Sequence, residues 1–386
     1  MRNITLIILS IIIVGISSCN TEEGLVPASK NSYIKIIKGL GSETPLQIDI
    51  ISDQQLLVLS NNRITVEGTS YDKIRVLKLN LEGDIVDEAY FPEGNDQNWK
   101  ASDAIIVNEE QIIIGGTGTV GDSSLIFLSI NSNLEETARQ IYKSNAYKYS
   151  LTGMSYDDTD KSILFGGSEI SNEDEFTIFG KINLENFIIQ NPFKTNKARA
   201  LPATALFRDN SGRLNWAYNS TTPTLVRSNS MDLKLIEDAD FLDFSNDENI
   251  VTKKLIGSDE GIFLFGELQR DERTQLFQYK AFSSNEIIFG EEGNNRLNGV
   301  KKIENGYLIT GTTEISNEGA STQRDFFIAG PKAGGIFTKS FGSDANEELH
   351  DAVMLNNKIY TIGSTIIGFD NSLLLIKLNE FGELKN

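Results

Sequence analysis

One cysteine, Cys19, and one histidine, His350, are all that 386 residues hold of the two side chains most used for metal binding and nucleophilic catalysis. A disulfide framework needs paired thiols, and a tetrahedral zinc site needs three or four Cys, His or carboxylate ligands, so neither is expected. Only His350 could serve a Ser-His-Asp triad, and no G-x-S-x-G elbow accompanies any serine. Walker and G-x-G-x-x-G loops are also missing, so no nucleotide or other cofactor is expected. Cationic residues are scarce: 35 Lys and Arg stand against 54 Asp and Glu, a net charge of −19. A surface of that sign repels nucleic acid and anionic lipid headgroups. Long Ser, Gln or Pro tracts are absent and the apolar fraction is ordinary, so a packed core is expected.

What is present begins with "MRNITLIILSIIIVGISSC". Arg2 precedes an apolar run from Ile4 to Ile16, about 13 residues, short of the roughly 20 needed to span a bilayer as a helix. This pattern reads as an export signal over residues 1–18. Its ending, Ile16-Ser17-Ser18-Cys19, resembles the lipobox of bacterial lipoproteins. The resemblance implies removal of the signal, acylation of the Cys19 thiol and its new amine with palmitate-type chains, and attachment to the outer membrane by lipid alone. Loss of Arg2 would leave 34 basic and 54 acidic residues, a net charge of −20. Residues 19–32, with Gly24 and Pro27 and no apolar period, read as a lipidated cysteine and flexible spacer. Glu22 and Glu23 resemble the acidic export signal of surface lipoproteins in Bacteroidota, which implies the cell surface rather than the periplasmic face.

Residues 33–386 show a repeat. "IIFGEEGNNRLNGVKKIENGYLITGTT" and "TKSFGSDANEELHDAVMLNNKIYTIGST" share an aromatic-Gly pair, a polar loop, a strand, a tight turn and a second strand. A third strand follows, clearest in "SLLLIKLNEFG". Three columns recur at intervals of about 45 to 52 residues. The first is Leu40, Phe91, Tyr142, Phe193, Phe244, Phe289 and Phe341; the second is Leu46, Ala101, Leu151, Leu201, Ile250, Leu297 and Leu349. The third is Ser60, Gly116, Gly167, Tyr218, Gly266, Gly311 and Gly363. Each copy carries about four β-branched or aromatic runs bounded by turn residues, and no sustained helical stripe occurs.

Four strands per copy at this period imply an all-β, seven-bladed propeller of four-stranded blades, with the glycine column allowing neighbouring blades to approach. The copies resemble a propeller repeat common in exported Bacteroidota proteins, carried here by "FGSDANEELHDAV", "NGYLITGTT" and "LLIKLNEFG". The double glycines Gly115-Gly116 and Gly166-Gly167 mimic the Kelch repeat, without its following Tyr and Trp. The last copy ends at its third strand, while "SYIKIIKGLG" near the start is an outermost strand with no blade before it. Residues 33–38 are therefore expected to pair with 372–378 and close the ring, which also removes an open edge.

Chemistry is thinly marked. "FRDNSGRLNW" places Asp209, Gly212 and Trp216 at offsets that miss the Asp-box of propeller sialidases and suit a turn before a strand. Asp157, Asp158 and Asp160 lack the Gly and Glu of a calcium loop and likewise suit a turn. His350 shares an innermost-strand column with Gln47, Ser102, Thr152, Pro202, Val251 and Asn298, near the channel mouth. With it, Trp99, Asp103, Tyr147, Tyr149, Arg199 and Arg296 make a candidate binding face of residue types frequent at hot spots. The expected function is a non-catalytic binding or scaffold module for an envelope protein or glycan. The alternatives are a carbohydrate-active hydrolase or lyase using carboxylates at the channel mouth, and a structural part of a secretion, gliding or nutrient-uptake assembly.

Overall fold

The computed structural model describes residues 32–384, apart from 95–96, 121, 144–146, 172–174, 199–200, 203–205, 220–223, 229–235, 242–248, 259, 271, 284, 316–322, 344 and 369. Cys19, the signal and all of the spacer but the buried Ser32 lie outside the described residues, as do Arg199 and Phe244.

After β1 (Tyr33–Ile37), the first sheet is β2 (Ser42–Ser52), β3 (Gln55–Val66), β4 (Thr69–Asn80) and β5 (Ile85–Phe91). The second is β6 (Asn98–Asn108), β7 (Gln111–Val120), β8 (Asp122–Ile130) and β9 (Glu136–Tyr142). The third is β10 (Lys148–Asp157), β11 (Ser162–Ile170), β12 (Glu175–Asn183) and β13 (Ile188–Ala198). The fourth holds β14 (Leu201–Pro202), β15 (Phe207–Arg208), β16 (Leu214–Asn219), β17 (Thr224–Ser228) and β18 (Ile236–Phe241). The fifth is β19 (Ile250–Ser258), β20 (Gly261–Arg270), β21 (Arg273–Lys280) and β22 (Asn285–Phe289). The sixth is β23 (Asn294–Ile303), β24 (Gly306–Ile315), β25 (Gln323–Lys332) and β26 (Gly335–Phe341). The closing sheet is β27 (Glu347–Leu355), β28 (Lys358–Ile367) and β29 (Asp370–Asn379), with β1 as its outer strand.

The closure is antiparallel and in the expected register: Tyr33 faces Lys377 and Ile37 faces Leu373. The core is a series of apolar layers between successive sheets. Leu59, Ile74 and Val76 meet Trp99, Ala101 and Ile126 between the first and second sheets. Ile48, Val58 and Leu77 meet Tyr360, Ile362 and Leu375 between the first and the closing sheet. Each such side chain, fully buried, contributes about 1.5–3 kcal/mol, so the interfaces between sheets hold the ring.

One local device recurs in every four-stranded sheet. The innermost strand carries a bulge one residue long, at Leu46, Ser102, Thr152, Lys253, Asn298 and His350. The residue just before the bulge faces Ser60, Gly116, Gly167, Gly266, Gly311 or Gly363. At the glycines, an added Cβ would meet the carbonyl oxygen of Lys100, Ser150, Val251, Arg296 or Glu348 at 2.0, 2.2, 2.1, 1.8 and 2.7 Å respectively. The glycine column therefore clears the bulged strand of its own sheet, a correction to the expected blade-to-blade role. Gly115 does abut the next blade, where a Cβ would lie 2.5 Å from Met154 Sδ.

The regular pattern fails in one sheet. In the fourth sheet Tyr218 occupies the glycine column and faces Pro202, which has no N–H to donate. The innermost strand there is broken into β14 and β15, both paired to β16. Among the described residues the four-stranded blade is formed six times, not the expected seven, and the fourth copy builds a five-stranded sheet. The bulges also correct two column positions: Leu46 and Lys253 sit at the bulge, where Gln47 and Val251 were expected.

Candidate functional site

The innermost strands begin at one mouth of the axis, the leading face, and end at the other, the trailing face. On the leading face the residue two before each pre-bulge position is drawn inward by strand alternation. Five of the six, Glu43, Trp99, Tyr149, Asn295 and Glu347, are buried, and the sixth, Ile250, is half-buried. The three polar ones hold neighbouring groups by hydrogen bonds. Glu347 accepts the Ser343 N–H at 2.8 Å and its hydroxyl at 2.9 Å; Asn295 accepts the Glu291 N–H at 3.2 Å. Glu43 receives the Arg75 guanidinium at 2.8 Å and the Ser60 hydroxyl at 2.6 Å. The glycine of the aromatic-Gly pair leaves space for them: a Cβ on Gly39, Gly290 or Gly342 would lie 2.6, 2.8 or 2.6 Å from Glu43 Oε2, Asn295 Nδ2 and Glu347 Oε2. The first copy's glycine is therefore Gly39, and Leu40, expected in the aromatic column, is 68% exposed.

This changes the expected binding face. Trp99 is 0% exposed beneath the Arg139 guanidinium, 4.4 Å from its ring, and Tyr149 is buried edge-on to Tyr142 at 5.3 Å. Neither presents a surface to a partner, so both are removed from that face. Tyr147 is half-buried against the apolar layer of the second and third sheets. Arg296 is exposed but paired with Glu314 at 3.0 Å. His350 Nε2 lies 3.2 Å from Ser364 Oγ and 4.0 Å from Glu348 Oε2. A triad places hydroxyl and acid on opposite ring nitrogens, which this arrangement does not do. Burial lowers the His350 pKa, with Glu348 opposing.

Asp103 belongs to a different structure. It is the first residue after its bulge, and its Oδ2 accepts the N–H of Met154 in the next sheet at 2.7 Å. Gln47, at the same position, accepts the Ala104 N–H at 2.9 Å and donates to the Ala104 carbonyl at 2.7 Å. Asp351, again at that position, accepts the Ile48 N–H at 3.1 Å. Three successive junctions are tied by one geometry. Lys301 of β23 reaches across to Asp49, with which it forms a close ion pair, and stands 3.8 Å from Asp351. Burial pushes the Asp351 carboxyl up to about 6 against the pull of Lys301, and Asp49 adds to the rise. Burial likewise raises the Asp103 carboxyl, opposed by Lys254. Burial works against the Lys301 charge, yet Asp351 and Asp49 hold it above the usual lysine range.

Among the described residues, concave surface is found on the trailing face. A cavity of about 640 Å³ opens beside the broken strand of the fourth sheet, lined by Tyr156, Phe207, Arg208, Asn210, Ser258 and Lys302 among others. A second, about 390 Å³, is lined by Asp49, Lys301, Lys302 and Asn357. Lys302 borders both. Arg208 is committed to Asp157 at 2.8 Å, Asp160 at 3.3 Å and the Gly212 carbonyl at 2.9 Å. Asp158 pairs with Lys161, and Asp160 also meets Lys181 at 2.7 Å. The Asp157–Asp160 segment is thus a turn whose acids are matched by cations. Asp209 closes a second turn, its Oδ1 accepting from Ser211 N at 2.9 Å and Arg213 N at 3.1 Å, with Gly212 at φ 83°. The strand that follows buries Trp216 against Phe179 at 4.9 Å, as the sequence suggests.

The residues that sequence reasoning missed are Asp49, Lys301, Asp351, Phe207 and Lys302. A signal existed for two of them: Lys301-Lys302 is one of only two Lys-Lys doublets in this acidic chain and falls late in an innermost strand.

No family model and no curated protein matches this sequence. Among solved structures, the β-propeller domain of the Trilobed protease from Pyrococcus furiosus, described as having an open velcro topology, superposes with a TM-score of 0.50. It is 9% identical, over 93% of this chain and 97% of that one. A Trypanosoma rangeli sialidase superposes at 0.48 with 9% identity over 92% of this chain. This chain spans only 58% of that sialidase's length. The polysaccharide lyase Uly1 superposes at 0.47, with 10% identity over 86% of this chain and 89% of that one. The first likeness shows the β-propeller fold. At these identities no activity follows from any of them.

Proposed function

We propose that this chain is a lipid-anchored β-propeller serving as a non-catalytic binding or scaffold module for an envelope protein or a glycan. The observation that supports this reading is the condition of the axial carboxylates. Asp103 and Asp351 each hold a backbone N–H of the next sheet, and Asp49 is held by Lys301. A glycosidase-type site needs one carboxyl poised to give a proton and a second aimed at the sugar or its water. Asp49 and Asp351 do converge, but on Lys301, and either would have to abandon a structural partner to reach a substrate. The hydrolase or lyase reading is weaker for that reason.

In the finer form of this reading the fourth, five-stranded sheet counts as a seventh blade, packed between the third and fifth sheets. Cys19 carries the acyl chains, residues 19–32 are the tether, and the propeller sits outside the outer membrane. Several acyl chains suffice for stable attachment where one is marginal, so an acidic propeller needs no basic patch to stay there. The test has two parts. Cys19→Ser should move the protein from the detergent phase to the aqueous phase, and pull-down from solubilised envelope with the wild-type chain should recover one protein or glycan reproducibly. Unchanged partitioning would remove the anchor; recovery of nothing would remove the binding role. Recovery of a stable multi-protein assembly would favour the scaffold form.

A further inference from the structure

The trailing-face cavity beside β15 carries chemistry that a general binding role does not specify. Its wall is aromatic on one side. The Phe207 ring packs so close to the backbone of β19 that a Cβ on Gly257 would come within 2.2 Å of its Cε2, and Tyr156 lines the neighbouring wall. Amide and hydroxyl groups come from Asn210, Ser211 and Ser258. Aromatic faces suit the apolar C–H face of a sugar ring, and a few convergent polar groups fix its orientation. A volume of about 640 Å³ falls in the range that holds small ligands.

The charges of this wall are unequal. Arg208 is matched by Asp157 and Asp160, and Asp209 by the N–H and hydroxyl groups of its own turn. Lys302 is exposed at the rim and has no ion pair among the described residues. In a chain of net charge −19, most surfaces repel an anion; here an uncommitted ammonium stands beside an aromatic wall. We propose that this cavity binds an acidic saccharide, with its carboxylate on Lys302 and its ring against Phe207. The proposal rests on the binding reading above and names the ligand class and the place.

The test is calorimetric titration of the full mature chain with short oligogalacturonate and with its methyl ester, which keeps the rings and removes the charge. The acid should bind, the ester about tenfold more weakly or worse, as expected for loss of one charge-assisted contact. Lys302→Gln should weaken the acid to a similar degree, Lys302→Arg should retain it, and Lys254→Gln, outside this cavity, should change nothing. Phe207→Ala should abolish binding, with unfolding temperature measured alongside because Phe207 also packs on β19. No binding of the acid, equal binding of acid and ester, or an unaffected Lys302→Gln would each overturn the proposal. If wild type captures an envelope partner but does not bind the acid, the binding role stands and this site alone is wrong. If wild type neither binds the acid nor captures anything, both fall.

Discussion

Asp351 Oδ2 accepts the backbone N–H of Ile48 at 3.1 Å, although 303 residues separate them. The bond joins the last innermost strand to the first, and Asp103 and Gln47 repeat it at the next two junctions. A position just after a bulge thus does the same work three times. The side chain there needs an acceptor rather than a charge, since Gln47 serves as well as an aspartate.

Asp351→Ala should therefore cost roughly 2–4 kcal/mol in urea unfolding, because Ile48 N–H and Lys301 each lose a buried partner. Asp351→Asn keeps an acceptor and should cost less than about 1 kcal/mol. Equal losses for the two variants would mean that the charge, not the tie, matters.

The same residue gives a pH signature. Burial lifts its carboxyl from 3.8 to about 6, with Lys301 opposing and Asp49 reinforcing. Between those values the folded chain holds a proton that the unfolded chain has released, so stability falls as pH rises through this window and levels off above it. The shift corresponds to roughly 3 kcal/mol. Wild type should accordingly gain stability relative to Asp351→Asn on going from pH 7 to pH 4. A difference between the two that is flat with pH would contradict this.

Gly311→Ala should destabilise the domain by roughly 2–4 kcal/mol. The new Cβ would sit 1.8 Å from the Arg296 carbonyl, so the bulge in β23 must shift. Gly68→Ala, where a Cβ meets nothing within 4 Å, probes only its positive φ of 81° and should cost less. Comparable losses at both positions would show that backbone conformation, not space, sets the glycine column.

Arg75 is 1% exposed and reaches Glu43, Glu88 and the Lys38 carbonyl. Removing it alone leaves Glu43 buried and uncompensated, so Arg75→Ala should cost roughly 3–5 kcal/mol. The double variant Arg75→Met with Glu43→Leu should recover part of that loss. A double variant worse than the single one would show that the loop over the first sheet depends on the charges themselves.

The repeat, the strand content and the closing register were legible because they rest on period and turn residues. "LLLIKLN" and "SYIKII" each read as strands lacking a partner, and they are partners of one another. The column Gly116, Gly167, Gly266, Gly311 and Gly363 was legible as a column, but its reason lay in a bulge that only the register reveals. Trp99 and Tyr149 were misread because hot-spot composition says nothing of alternation: both point inward, while their neighbours Lys100 and Lys148 are exposed. Asp49, Lys301 and Asp351 were not legible as a group, since they come from three sheets and meet only at the axis. The irregular fourth sheet coincides with Tyr218, the one bulky residue in a column of Gly and Ser.

The most direct test of the account is removal of β1. A chain lacking residues 20–39 loses the outer strand of the closing sheet, its five register pairs with β29, and the Tyr33 hydroxyl bond to the Leu81 carbonyl at 2.8 Å. If the ring is closed by this strand, the truncated protein should unfold at a clearly lower temperature and expose β29 amides to rapid hydrogen exchange. Unfolding at the temperature of the full mature chain, with β29 still protected, would contradict it.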